Sequence, residues 1–90
     1  MEVLYFIMHK GLIILDTQAF ELIYGAELKA EITHRVELLA EPLTKGEAVG
    51  RPELLAEVEV IFSGWGAPKL DAAFLAAAPK LRAVFYGAGS

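Results

Sequence analysis

Two short glycine-containing stretches are the residues of this sequence best suited to hold a small anion. Gly64-Trp65-Gly66 follows one apolar run, and Gly87-Ala88-Gly89 follows another. Glycine lets backbone N–H groups approach an anion closely, because no side chain stands in the way. Gly87-Ala88-Gly89 is therefore a candidate turn for binding a small carboxylate ligand. The alternative is a plain turn that leads out of a strand.

The first of these stretches is only superficially similar to a dinucleotide-binding loop. That loop needs a third glycine at the position of Lys69, so that its helix can pack closely against the strand. Trp65 is bulky, and it stands between the two glycines that would approach a pyrophosphate. Pro68 adds a constraint where the helix would begin. We interpret the stretch as a structural turn, with Ser63 at the preceding strand end as a possible hydrogen-bond donor.

Other reactive side chains are few. His9 and His34 are the only histidines, they lie in different predicted elements, and the chain contains no cysteine. No metal site is therefore predicted. His9 is expected to follow the first strand, either lining a pocket or packed as a partly buried structural residue. Ser63 is not in a nucleophile-elbow sequence, so no serine–histidine–acid set is predicted.

Composition excludes several classes of partner. The net charge is −4 and no basic cluster is present, so neither nucleic acid nor an anionic membrane is expected to bind. Hydrophobic residues make up 56% of the chain, which favours a sheet covered on both faces or an apolar surface for a partner. The apolar runs are far shorter than the ~20 residues that span a bilayer. Glu2, ahead of Val3–Met8, does not suit a signal peptide, so a cytoplasmic protein is expected.

The elements that must position these residues alternate between strands and helices. Helical spacing predicts one helix over Thr17–Lys29, two short pieces from a Thr44–Glu47 capping box to Ala56, and another over Leu70–Ala76. Apolar runs predict strands at Val3–Met8, His34–Leu39, Glu59–Ser63 and Leu81–Tyr86. This alternation predicts an α/β fold, a flavodoxin-like doubly wound parallel sheet of four strands in the order 2-1-3-4.

The predicted strand order also places the candidate residues. Ligands bind beyond the carboxyl ends of strands, near the point where the strand order reverses. His9 and Lys10 are therefore expected to face Ser63–Gly66, with Tyr86–Gly89 alongside. Nothing follows the last predicted strand to cover its far edge, so the sheet is expected to be incomplete there. Open apolar edges pair with other chains, which predicts a homo-oligomer, such as a dimer, formed through this edge or an apolar helix face.

A longer pattern runs from Leu55 to the end of the chain. It combines a strand ending at Ser63-Gly64, an alanine-rich helix, Pro79-Lys80-Leu81-Arg82, an apolar strand and Gly87-Ala88-Gly89. From about Val36 to Ser90 the chain resembles the N-terminal part of the catalytic domain of D-isomer-specific 2-hydroxyacid dehydrogenases. The resemblance implies a flavodoxin-like substrate-binding domain, split around an inserted domain that binds NAD or NADP. It also implies a site for the substrate carboxylate, formed by Tyr86, Gly87, Ala88 and Gly89 beside Ser63 and Gly64.

The residues that perform the chemistry in this family have no counterpart among the 90 residues. The family's dinucleotide fingerprint, its substrate-binding arginine and its catalytic histidine all come later in the chain. The resemblance therefore implies that residues 1–90 are a single truncated substrate-binding domain, without the NAD-binding domain, without a cofactor of its own and not catalytic alone. The alternative is a self-contained flavodoxin-like binding or regulatory module. Phosphoacceptor and flavin-binding versions are disfavoured, because His9-Lys10 and Ser63-Gly64 replace the acidic residues or phosphate loop that they need.

Overall fold

A computed structural model of the chain describes residues 9–87, in which helices pack on both faces of a parallel sheet. All pairings between neighbouring strands are parallel, and the strand order is β2-β1-β3-β4, which confirms the predicted α/β flavodoxin-like arrangement. The elements in chain order are β1 (His9–Ile14), α1 (Thr17–Ile23), α2 (Gly25–Thr33), β2 (Val36–Leu38), α3 (Lys45–Val49), α4 (Pro52–Leu55), β3 (Val60–Ser63), α5 (Ala72–Ala77) and β4 (Ala83–Tyr86).

The position of β1 corrects one prediction. His9, Lys10 and Gly11 were expected to end a strand over Val3–Met8, which lies outside the described residues, but they begin β1 instead. Glycine is suited to this position inside the strand because the side chain of Val36 occupies the space that a larger residue would need. A Cβ atom on Gly11 would lie 2.4 Å from Cγ1 of Val36 on β2. Here the glycine allows close packing within the sheet rather than ending the strand.

The predicted helix over Thr17–Lys29 is divided into α1 and α2. Gly25 adopts a φ of +67°, in the left-handed region that glycine occupies without steric cost. The chain changes direction at this residue: α1 ends at Ile23, and α2 begins at Gly25 and ends at Thr33. The two short helices after the Thr44–Glu47 capping box are confirmed as α3 and α4, and both hydrogen bonds of the box form.

Two apolar layers enclose the sheet. Leu12 and Ile14 of β1 point into a layer completed by residues of α3, α4 and α5, including Phe74. Ile13 and Leu15 point into the opposite layer, together with Ala19 of α1 and Ile32 of α2. This alternation along β1 is typical of a strand that is covered on both faces. None of the helices within residues 9–87 has the length and apolar character needed to cross a membrane.

Ion pairs join the loops at the amino ends of the strands. The Glu57 carboxylate lies 3.2 Å from Nζ of Lys10 and 3.3 Å from Nζ of Lys80. Glu59 accepts a hydrogen bond of 2.9 Å from the backbone N–H of Lys10. These hydrogen bonds lower the pKa values of both Glu57 and Glu59, because they favour the ionised carboxylates.

Candidate functional site

The carboxyl ends of β3 and β4 bring four of the predicted site residues together. Ser63 is paired with Tyr86 across the two strands, and the N–H of Gly87 donates a hydrogen bond of 2.8 Å to the carbonyl oxygen of Ser63. Gly64 lies directly against Gly87, since a Cβ on Gly64 would be 2.5 Å from the Gly87 carbonyl oxygen. Ala88 and Gly89, the other two predicted residues, lie outside the described part of the chain.

The four residues differ in their access to solvent. Ser63 and Gly64 are buried, Gly87 is partly buried, and the Tyr86 side chain is exposed. The Ser63 hydroxyl donates a hydrogen bond of 2.5 Å to the carbonyl oxygen of Ile14, so its proton ties β3 to β1. Ser63 and Gly64 therefore form the buried part of this cluster, and Tyr86 and Gly87 form its solvent-accessible part.

A fifth residue, Tyr24, completes this cluster. Its hydroxyl donates a hydrogen bond of 2.6 Å to the Ser63 carbonyl oxygen and lies 3.5 Å from the carbonyl oxygen of Phe85. Burial raises the pKa of Tyr24 above its ordinary value of 10.0, while a hydrogen bond with the Gly87 backbone acts in the opposite direction. The phenol therefore stays protonated, and remains a hydrogen-bond donor, at neutral pH.

Sequence reasoning missed Tyr24, which was included in a continuous helix and given no role. The feature that could have identified it is Gly25, the next residue. A left-handed glycine ends a helix and places its last side chain near the connecting turn. Tyr24 lies at the end of α1, where its ring is stacked against Phe20 with the ring centroids 6.4 Å apart.

The strand order reverses between β1 and β3, and there the loops that follow these two strands are joined to each other through their backbones. The N–H of Asp16 donates a hydrogen bond of 2.9 Å to the carbonyl oxygen of Trp65. Gly66 has a φ of +83° and lies against Asp16. The exposed Asp16 carboxylate would repel an anionic ligand here, so the β3–β4 side is the better position for one.

His9 and Lys10 do not face Ser63–Gly66, contrary to the prediction. Both open β1, and they therefore lie at the amino ends of the strands, where Nδ1 of His9 is 3.3 Å from Oε2 of Glu59. Ile14 lies five residue steps along the strand from His9, which at a rise of about 3.3 Å per residue is roughly 16 Å. The error came from placing the first strand several residues too early. His34 is exposed and caps the end of α2.

The loop after β3 does not fit a dinucleotide. In a dinucleotide site the glycines lead directly into a helix whose N-terminus holds the pyrophosphate. Here α5 begins only at Ala72, and the Asp71 side chain accepts a hydrogen bond of 2.9 Å from the N–H of Phe74. A carboxylate therefore already caps this helix and would repel a phosphate group. Within residues 9–87, no group of three histidine, cysteine or acidic side chains is arranged to hold a metal ion.

Comparison with known proteins gives no relative. No protein-family model, curated protein or solved structure matches this chain. The similarity to D-2-hydroxyacid dehydrogenases stays a prediction from the sequence pattern. The function must therefore be argued from the geometry at the carboxyl ends of β3 and β4.

Proposed function

We propose that this chain is the substrate-binding unit of a D-2-hydroxyacid dehydrogenase-like oxidoreductase and binds the carboxylate of a small 2-hydroxy or 2-oxo acid. The observation that carries the proposal is the contact between the ends of β3 and β4, where Gly87 packs on Gly64 and its N–H is bonded to Ser63. In open parallel sheets, ligands bind at this end of the strands. The resemblance to D-2-hydroxyacid dehydrogenases implies a carboxylate site at the same residues.

The environment of Ser63 suits an anion nearby. Its carbonyl oxygen would repel a carboxylate if it were free, but it accepts hydrogen bonds from both Tyr24 and Gly87. These two hydrogen bonds offset part of the negative charge on the carbonyl oxygen, which lowers the electrostatic cost of an anion nearby.

Glycine at position 87 is also required by packing. A Cβ there would lie 2.8 Å from Cγ2 of Ile23 and 3.5 Å from the Tyr24 hydroxyl. A larger residue would force the Ile23 side chain to shift, so glycine lets the chain pass close to the end of α1. The start of the turn therefore packs directly against this helix.

The proposal includes no catalysis by this chain alone. Hydride transfer needs a nicotinamide held against the substrate, and the loop after β3 is not shaped to hold its dinucleotide. A histidine–acid pair does exist, between His9 and Glu59, but it lies at the amino ends of the strands. NAD or NADP, together with the acid–base group, would have to be held by polypeptide outside residues 9–87.

A ligand titration followed by NMR tests the carboxylate site. Pyruvate added to the ¹⁵N-labelled chain is expected to shift the amide signals of Gly64, Tyr86 and Gly87 in a saturable way. Pyruvamide, which lacks the charge, should shift them far less. Gly64→Ala, which pushes the Gly87 carbonyl away, should weaken the response, whereas Gly46→Ala on α3 should not, because an added Cβ there meets no atom within 4 Å. Equal responses to pyruvate and pyruvamide, or none, would refute the site.

A fluorescence titration with NADH tests the absence of a cofactor site. We expect no saturable binding up to millimolar NADH. Saturable binding would refute the interpretation of this chain as a substrate-binding unit only, and residues 64–69 would then have to be reconsidered as a cofactor loop.

The alternative function is a self-contained binding or regulatory module that associates through its sheet edge. The observation in its favour is the exposure of β4, where Phe85 is 56% and Tyr86 57% exposed. Exposed edge strands are templates for pairing with another chain. Sedimentation velocity at increasing concentration would detect such a dimer, and Val84→Pro should abolish it, because proline removes an N–H donor. Dimerisation without any response to pyruvate would favour this module over the carboxylate site.

A further inference from the structure

The end of α1 contacts both of the strands that form the candidate carboxylate site. The Tyr24 hydroxyl donates a hydrogen bond of 2.6 Å to the carbonyl oxygen of Ser63, at the end of β3. The preceding residue, Ile23, packs on a glycine at each strand end. A Cβ on Gly64 would lie 2.5 Å from its Cδ1 atom, and a Cβ on Gly87 would lie 2.8 Å from its Cγ2 atom. Two consecutive residues at one helix end therefore bridge the contact between β3 and β4.

The turn after β4 has few other supports in the part of the chain that the structure describes. There β4 is paired on one side only, with β3, and Phe85 and Tyr86 are more than half exposed. The N–H of Gly87 donates a hydrogen bond of 2.8 Å to the Ser63 carbonyl oxygen, which is the oxygen that also accepts from Tyr24. Segments with few buried contacts open locally at a low cost in free energy. Gly87 is therefore positioned mainly by the end of β3 and the end of α1.

The orientation of the Tyr24 ring does not depend on its hydroxyl. The ring is stacked on Phe20, with the centroids 6.4 Å apart and an interplanar angle of 23°. The next residue, Gly25, has a φ of +67° and turns the chain toward α2. Phenylalanine at position 24 can make the same ring contact. Replacing tyrosine with phenylalanine therefore separates the hydrogen bond to Ser63 from the packing of the ring.

We propose that Tyr24 is a positioning residue of the carboxylate site, and that its hydroxyl controls how tightly the turn after β4 binds a small carboxylate. It acts through Ser63 in two ways. It orients the carbonyl oxygen that accepts the hydrogen bond of Gly87, which keeps the turn against β3. It also offsets part of the negative charge on that oxygen, which reduces the repulsion of an anion. The effect on the ligand rests on the proposed function, whereas the effect on the turn is measurable without ligand.

Amide hydrogen exchange without ligand tests whether Tyr24 holds the turn. Tyr24→Phe should speed the exchange of the Gly87 amide roughly two- to tenfold, as expected for the loss of one hydrogen bond. Thr44→Ala is the matched control, because it removes the side chain that accepts a hydrogen bond of 3.2 Å from the N–H of Glu47 on α3. Loss of this cap lowers overall stability by a comparable amount. It should leave the exchange of Gly87 unchanged.

Two results of the exchange experiment would overturn the positioning role. Equal acceleration of Gly87 in both variants would show that the turn opens only when the whole chain unfolds. Unchanged exchange of Gly87 in Tyr24→Phe would show that the hydroxyl does not hold the turn.

Pyruvate binding tests the consequence for the ligand. The dissociation constant, followed through the amide signals of Gly64 and Tyr86, should rise roughly two- to tenfold in Tyr24→Phe and stay unchanged in Thr44→Ala. The preference for pyruvate over pyruvamide should also fall in Tyr24→Phe, because a less neutralised Ser63 carbonyl repels only the charged ligand. A general loss of stability would leave that preference unchanged.

The outcomes separate this inference from the proposed function. If the wild type and Tyr24→Phe bind pyruvate with equal affinity, the role of Tyr24 is overturned and the carboxylate site remains. If the wild type does not respond to pyruvate, the site itself is refuted, and the inference about its affinity is refuted with it. Circular dichroism establishes that each variant is folded.

Discussion

The hydroxyl of Tyr24 donates a hydrogen bond of 2.6 Å to the carbonyl oxygen of Ser63, which lies 39 residues further along the chain. This bond joins the end of α1 to the end of β3, at the point where β4 also ends. Ser63 in turn donates its own hydroxyl proton to Ile14 on β1. Three strands and one helix are therefore joined through two side chains at the candidate site.

Removal of the Tyr24 hydroxyl should destabilise the fold. Tyr24→Phe keeps the ring stacked on Phe20 but leaves one donor fewer at the Ser63 carbonyl, which should lower the free energy of unfolding by about 0.5–1.5 kcal/mol. Urea denaturation measures this loss. Tyr86→Phe is the control, because Tyr86 is 57% exposed and its hydroxyl has no hydrogen-bond partner within residues 9–87. A similar loss in both variants would show that the Tyr24 bond contributes nothing of its own.

The same phenol predicts alkaline instability. Because burial raises the pKa of Tyr24 above 10.0 in the folded chain, folding favours the protonated form. This contribution is complete below pH 10 and is lost as the pH rises through the raised pKa. The stability of the wild type should therefore decline above pH 10 more steeply than that of Tyr24→Phe. Urea titrations between pH 9 and pH 11 (roughly one pH unit on either side of the ordinary tyrosine pKa) measure the difference, and parallel curves would contradict the prediction.

Gly66 and Gly25 both have positive φ, but replacing each with alanine should lower the stability of the fold by different amounts. Gly25→Ala adds a Cβ that meets no atom within 4 Å, so only the backbone strain of about 1–2 kcal/mol is expected. Gly66→Ala adds the same strain and also places a Cβ 2.7 Å from the Asp16 backbone nitrogen, which cannot move without breaking the bond to Trp65. Thermal denaturation should show the larger loss for Gly66→Ala. Equal losses would mean that the β1 and β3 loops can separate freely.

Acid should weaken the ion pairs at the amino ends of the strands. Hydrogen bonds from Lys10 and Lys80 hold the pKa of Glu57 below its ordinary value of 4.5. Its contribution to stability is present above pH 4.5 and is lost as the pH falls through the lowered pKa. Glu57→Gln cannot be protonated in this range, so its unfolding free energy should fall less than that of the wild type between pH 5 and pH 3 (about the range in which carboxylates titrate).

The control for the acid experiment is Glu21→Gln, which changes an exposed glutamate with no ion pair in the described part of the chain. It should follow the wild-type curve. If the unfolding free energy of Glu57→Gln also followed the wild-type curve, Lys10 and Lys80 would not stabilise the ionised carboxylate measurably. Added salt should reduce any difference, because the pairs lie at the surface.

Much of the fold was predictable, because it depends on local patterns. The Thr44–Glu47 capping box is a short-range interaction, and both of its hydrogen bonds form as predicted. The strands at Val36–Leu38, Val60–Ser63 and Ala83–Tyr86 all lie within predicted ones. Once strands and helices alternate, right-handed connections leave few strand orders, so the order 2-1-3-4 could be inferred without contacts.

The errors arose where tertiary packing outweighed local preference. Gly11 is usually a sign that a strand ends, yet it lies inside β1, because Val36 fills the space above it. That choice determined which end of the sheet His9 and Lys10 occupy, and therefore which residues they can meet. No pattern within a few residues of Gly11 contains this information.

By itself, the sequence determined the fold class and the strand order, and it placed the end of β4 alongside the end of β3, because alternating apolar runs and parallel connections leave few other arrangements. Only the tertiary structure decided that Tyr24 bonds to Ser63, that His9 lies at the far end of the sheet, and that Ile23 packs on Gly64 and Gly87. These three depend on contacts between residues distant in the chain. Such contacts are set by the packing of whole elements rather than by the preferences of neighbouring residues.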